Sequence, residues 1–224
     1  MINKDLKNFR LQYARWEDLP DEVQDTFTVM MGGDIEQGAD FYRLYFYWYN
    51  VAHEVGHMLR NLYYTSTISM WNEENAVNQF AVSFWLAKGE TERLITLEKL
   101  LRQALANLPD PVPAHEDRAA YLNSHMQVVS SNPAAYGHYQ FNMVRSALAH
   151  PIEFSQALRT LISFDANDGT TIPLQPDFPL DDELPHRTVL DLRKTMAAFG
   201  LYLPDIQIIC FYTPALQFAA WDTA

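Results

Sequence analysis

In the segment Val51-Ala52-His53-Glu54-Val55-Gly56-His57-Met58-Leu59, two histidines stand four residues apart and a glutamate comes directly after the first. On a helix, positions i and i+4 share a face, so both imidazoles can reach one metal ion. Glu54 leaves the axis about 100° away from His53, a bearing from which it can face a metal-bound water without ligating. This is an HExxH motif, a pattern suited to metal-assisted hydrolysis. Zinc held this way lowers the pKa of its water and polarises a carbonyl, while the carboxylate takes the proton and redelivers it. The surroundings favour ligation. The motif lies in the most apolar stretch of the chain, where a Glu and two His without partners are costly, and one cation accounts for all three.

Catalytic zinc takes three protein ligands and keeps a fourth position open. A third His placed six residues after the second, with a Gly between, is absent: those positions hold Tyr63 and Arg60. The run Asp168-Gly169-Thr170-Thr171 does not match a GTxD ligand pattern. A carboxylate on the next helix is available, because NEENAVNQFAVSFW, starting at Asn72, offers both Glu73 and Glu74. Its apolar face (Val77, Phe80, Ala81, Phe84) runs between the two, so helix geometry leaves both open. Glu74 has one extra feature. Asn78 lies one turn on, where its amide can hydrogen-bond a ligand imidazole.

HEVGH continued by E-x-x-x-N-x-F-A resembles the gluzincin branch of the zincin metallopeptidases, in particular the ImmA/IrrE-like peptidases and related uncharacterised metallopeptidases. The resemblance covers about residues 45–87. It implies that His53, His57 and Glu74 are the zinc ligands, that Glu54 is the general base, and that Asn78 supports an imidazole from behind. Many gluzincins carry Asp where this chain has Asn78, so the support here is neutral. Glu73 is the alternative third ligand.

A peptidase also needs a donor for the tetrahedral oxyanion. The run Ala135-Tyr136-Gly137-His138-Tyr139, at a helix start after Pro133, makes Tyr136, His138 and Tyr139 the candidates, with Gly137 allowing a tight approach. His125 and His150 have no supporting spacing. His115 and His186 stand beside proline-rich loops and are expected in solvent. Cys210 lies in an apolar run without an activator and is expected in the core.

The elements that must carry these residues are mostly helical. Residues 8–16 alternate as a strand, 21–31 read as a short helix, and Gly32, Gly33 and Gly38 punctuate the next stretch. Phe41 to about Leu62 is a long helix, apolar on most faces and therefore central. After a link over 65–71, Asn72 can cap a second helix to about Lys88, with Gly89 as its stop. Further helices are expected over 90–107, 115–130, 136–149, 152–164 and 188–199. A long acidic loop spans 165–187, and a strand spans 206–212. The expected fold is a predominantly helical α+β, zincin-like domain with a small sheet, one domain over 1–224, with the metal-site core at about 41–88.

Composition bounds the function. The chain has 224 residues, 48% hydrophobic, which suits one globular core. A net charge of −12 repels phosphate, so no nucleic-acid partner is expected. Arg43, His53, Glu54 and His57 interrupt the longest apolar stretch, so no membrane span is expected either. Cys210 is the single cysteine, which points to a reducing compartment, and the first sixteen residues lack an apolar leader segment, so a cytoplasmic location is expected. The expected function is a zinc-dependent peptidase acting on a protein or peptide substrate. The alternative is a zinc-binding regulatory or protein-interaction module on the same scaffold with little cleavage.

Overall fold

In the computed structural model, which describes residues 9–63, 68–162 and 180–210, the two ends of the described chain meet as strands. Strand β1 (Phe9–Tyr13) buries Phe9, Leu11 and Tyr13 and exposes Arg10, the alternation expected of it. It pairs in parallel with β2 (Ile206–Cys210), from Phe9 opposite Ile206 to Tyr13 opposite Cys210. Parallel partners need a crossover connection, and here the helices supply it. The expected strand over 8–16 ends at Tyr13, because Trp16–Asp18 closes into a 3-10 turn braced by an Arg15–Asp18 ion pair at 2.7 Å. Its residue 8, and residues 211 and 212 of the second expected strand, lie outside the described residues. Cys210 is exposed, not in the core as expected: β2 is half-exposed along its length, being one of two strands among the described residues.

Helix α1 (Asp21–Met30) leads into α2 (Ile35–Tyr42), which Asp34 caps by accepting from the Gln37 N–H at 3.0 Å. Then comes a π-helical segment, Arg43–Tyr49, and α3 (Asn50–Tyr63). The expected helix from Phe41 to Leu62 is therefore the later part of a longer helical run that begins at Ile35. Gly38, expected to interrupt, is buried inside α2. A Cβ there would stand 3.1 Å from the Thr28 nitrogen, so this glycine lets α2 lie against α1.

Helix α4 (Met70–Ala87) opens ahead of the expected Asn72 cap, because Ser69 accepts from the Asn72 N–H at 3.3 Å. Residues 64–67 of the expected link lie outside the described residues. Next come α5 (Thr91–Asn107), α6 (Arg118–Ser130), kinked at His125, α7 (Pro133–Ala149), capped by Asn132, and α8 (Phe154–Leu161). Residues 163 and 164 of the expected 152–164 helix, and 165–179 of the expected acidic loop, lie outside the described residues. The final helix, α9 (Leu184–Ala198), begins ahead of the expected Thr188. Pro185 sits in its first turn, where a missing N–H costs nothing.

One apolar cluster runs from Phe9 to Leu203, with Phe41, Tyr47, Trp48, Tyr49, Phe80 and Phe84 wholly buried at its centre. Helices α3 and α4 meet inside it at Gly56, where a Cβ would stand 2.9 Å from Val77 Cγ1 and 3.1 Å from Phe80 Cδ1. Helix α4 packs in turn on α7 and α8. A smaller cluster (Leu122, Val129, Tyr139, Met143) joins α6 to α7, with half-buried Trp71 and Tyr136 against it. The fold is predominantly helical with a two-stranded parallel sheet among the described residues. No described helix is long and apolar enough to cross a membrane.

Candidate metal centre

His53 and His57 lie one turn apart on α3 and are both buried. The close approach at Gly56 brings the first half of α4 under them and sets Glu74, 1% exposed, between the two rings. His53 Nε2 stands 3.4 Å and His57 Nε2 3.7 Å from Glu74 Oε2, and the two Nε2 atoms are 3.2 Å apart. A tetrahedral zinc with bonds of about 2.0–2.1 Å separates its ligand atoms by about 3.3 Å. The three contacts bracket that spacing, so the residues present fit the ion. The other carboxylate oxygen, Glu74 Oε1, is buried with no hydrogen-bond partner. A buried, unsatisfied anionic oxygen is expensive, and a cation bound here would compensate it.

The rings are held from behind. His53 Nδ1 lies 3.0 Å from Asn78 Oδ1, which also accepts from the Tyr49 hydroxyl at 2.9 Å. Asn78 Nδ2 donates to the Glu74 backbone carbonyl at 2.9 Å and to Gln140 Oε1 at 3.2 Å. That backbone carbonyl can only accept, so the amide orientation is fixed: Oδ1 faces His53, whose Nδ1 must then carry the proton. His57 Nδ1 donates to Glu73 Oε1 at 3.0 Å, and Arg60 Nε holds Glu73 Oε2 at 3.2 Å. With both Nδ1 atoms committed as donors, both Nε2 atoms face Glu74, and the gap between them suits a proton or a metal cation.

Electrostatics obey the same geometry. Burial lowers the pKa of His53 and outweighs the pull of Glu74. Burial also disfavours the His57 imidazolium, yet the Glu74 charge and hydrogen bonds to Glu73 and Glu74 overcome it and raise its pKa to about 10. Against its own burial, Glu74 is held at about 2, chiefly by His57 and then by His53 and Gln140. The metal-free site therefore stores one proton, on His57, facing a carboxylate.

Glu54 is not one of the three converging residues. It is half-buried, its Oε1 accepts from Asn50 Nδ2 at 3.0 Å, and its charge is felt at His53, His57, Tyr45 and Tyr136. It stands next to His53 on α3, near enough for its charge to act on both imidazoles. Glu73, the alternative ligand, faces His57 Nδ1 and Arg60 instead of the Nε2 atoms.

Of the three oxyanion candidates, only Tyr136 comes to the centre. Gln140 Nε2 donates to its hydroxyl at 3.0 Å and to Glu74 Oε2 at 2.7 Å. Burial, then the charges of Glu74 and Glu54, push the Tyr136 hydroxyl well above its ordinary pKa, so it stays protonated and able to donate. His138 turns to Asp110, 3.7 Å away, and Tyr139 packs edge-on to Trp71 at 6.4 Å. His138, two positions on, leaves the helix on the far side from Tyr136; Tyr139, three positions on, shares the Tyr136 side but is taken up by the cluster between α6 and α7. Gly137 meets only ordinary contacts, with Phe141 at 3.4 Å, so no close approach depends on it. His115, His125, His150 and His186 are exposed. Sequence reasoning missed Asn50, Tyr49, Arg60 and Gln140. Asn50 to Glu54 and Tyr136 to Gln140 are both i, i+4 pairs, and that spacing was the available signal.

Comparison with protein-family models, with curated proteins and with solved structures finds no match in any of the three.

Proposed function

We propose that this chain is a zinc-dependent peptidase of zincin type, acting on a protein or peptide substrate. The observation that carries the reading is the convergence of His53 Nε2, His57 Nε2 and a Glu74 oxygen at zinc spacing, with both Nδ1 atoms held as donors. Zinc bound there would polarise a peptide carbonyl and acidify a water.

The chain's own groups supply the rest. The Glu54 carboxylate, with Oε1 held by Asn50, accepts the water's proton and passes it to the leaving amine. Tyr136 Oη, kept protonated by its surroundings, donates to the oxygen that gains charge as the carbonyl becomes tetrahedral. Asn78 and Glu73 keep the two imidazoles in the ligating tautomer.

The test is zinc content of the purified chain, read beside cleavage of a panel of unfolded proteins and peptides by wild type and by Glu54→Gln. About one zinc per chain, with cleavage lost only in the variant, supports a peptidase. Equal cleavage by both overturns it. Stoichiometric zinc without cleavage of any substrate moves the assignment to the regulatory module.

A further inference from the structure

Gln140 lies on α7, 66 positions beyond Glu74 in sequence, and is 5% exposed. Its side chain bonds to three others at the metal centre. Nε2 donates to Glu74 Oε2 at 2.7 Å and to the Tyr136 hydroxyl at 3.0 Å, and Oε1 accepts from Asn78 Nδ2 at 3.2 Å. The amide has only one chemically consistent orientation. The Glu74 carboxylate can only accept, so it selects Nε2. Asn78 Nδ2 can only donate, so it selects Oε1. One amide thus joins the carboxylate ligand, the support of His53 and the hydroxyl that would face the reacting carbonyl.

We propose that Gln140 is a positioning residue that sets the bearing of the Glu74 carboxylate toward the metal and fixes the Tyr136 hydroxyl to the same frame. The proposal rests on the peptidase reading for Tyr136, and on the metal centre alone for Glu74. Physically, a carboxylate has a broad torsion at its last bond. At Glu74, Oε1 has no hydrogen-bond partner, so apart from the two imidazoles it is the Gln140 donor on Oε2 that limits rotation. By accepting from Gln140, the Tyr136 hydroxyl oxygen is held beside the Glu74 carboxylate that the same amide binds.

Cobalt(II) tests this without a substrate, because its visible absorption reports the number and geometry of its ligands. Gln140→Met and Gln140→Leu remove all three hydrogen bonds and keep similar volume. Circular dichroism and thermal unfolding of the metal-free variants check their fold. Both variants should bind zinc about 10–100-fold more weakly than wild type, the usual scale for losing a group behind a ligand, and should show an altered cobalt spectrum. A loss of overall stability alone, with the fold intact by circular dichroism, would not change that spectrum. Folded variants with wild-type affinity and an unchanged spectrum overturn the proposal and leave the peptidase reading standing. A wild-type chain that binds neither metal overturns both. Should neither variant fold, wild type labelled with ¹⁵N-glutamine decides: zinc should shift one side-chain amide signal, and no shifted glutamine amide overturns the proposal.

Discussion

At the residue scale the site is a set of proton assignments. Asn78 and Glu73 take the Nδ1 protons of His53 and His57, which leaves the Nε2 atoms to share one cation. Without metal that cation is a proton on His57, whose pKa is raised to about 10, opposite Glu74 at about 2. Zinc must displace the proton, so its affinity should rise about tenfold per pH unit between neutrality and pH 10. Calorimetry at pH 7.5 in two buffers of different ionisation heat should find about one proton released per zinc. The linkage signs agree. The raised His57 pKa stabilises the metal-free fold fully below its unfolded value of about 6.5 and ceases to do so through about 10; the lowered Glu74 pKa stabilises above about 4.5 and is lost toward about 2. The gain in Tm on adding zinc should therefore grow from pH 6.5 upward, and a gain that shrinks over that range contradicts the assignment.

Two substitutions separate holding the metal from using it. Glu54→Gln keeps shape and removes the basic oxygen, so zinc binding should be unchanged while turnover falls about 10²–10⁴-fold. Glu73→Gln keeps an oxygen toward His57 but loses the charge paired with Arg60. Zinc affinity should fall about 10–100-fold, with a stoichiometry still near one per chain. If Glu73→Gln abolished binding while Glu74→Gln spared it, the ligand assignment would be reversed.

At the scale of elements, the site depends on how closely α3 and α4 approach. Gly56 stands inside the motif, and a methyl group there meets Val77 Cγ1 at 2.9 Å. Val77 is short, stiff and wholly buried, so the helices must separate. Gly56→Ala should cost about 1–3 kcal/mol in overpacking, partly offset by up to about 1 kcal/mol from the better helix propensity of Ala. Because Glu74 rides on α4, zinc affinity should drop with stability, read by denaturant unfolding and zinc competition. A variant of wild-type affinity would show that the helix spacing is not what places the carboxylate. The π-helical segment acts on the same pair: it feeds Tyr49 toward α4, where its hydroxyl meets Asn78. Such segments recur beside functional sites.

For the whole molecule, the far end of α4 is tied down independently of the metal. Lys88 Nζ, its side chain fully buried, lies 2.9 Å from Asp191 on α9. Removing one partner of a buried pair costs about 3–5 kcal/mol. Asp191→Ala should lower the unfolding midpoint accordingly and leave zinc affinity unchanged, because about 20 Å of helix separates Lys88 from Glu74. Loss of both together would mean that the helices unfold as one unit with the site.

The HExxH helix, the acid pair on the helix after it, Asn78 as a support and the helical character of the fold were all legible in the residues alone, because these depend on spacings of three to five residues. Helix starts were less legible. Ser69 and Leu184 open their helices early because an upstream cap and a tolerated Pro185 extended them. Which acid faces the imidazoles was a matter of tertiary packing. Glu73 and Glu74 flank one apolar face, and only the crossing at Gly56 turns Glu74 to the Nε2 atoms and Glu73 to His57 Nδ1. Packing also chose Tyr136 over its neighbours and brought in Gln140 from another helix. Contacts between residues so far apart in the chain are set by how helices pack, and no local periodicity records that.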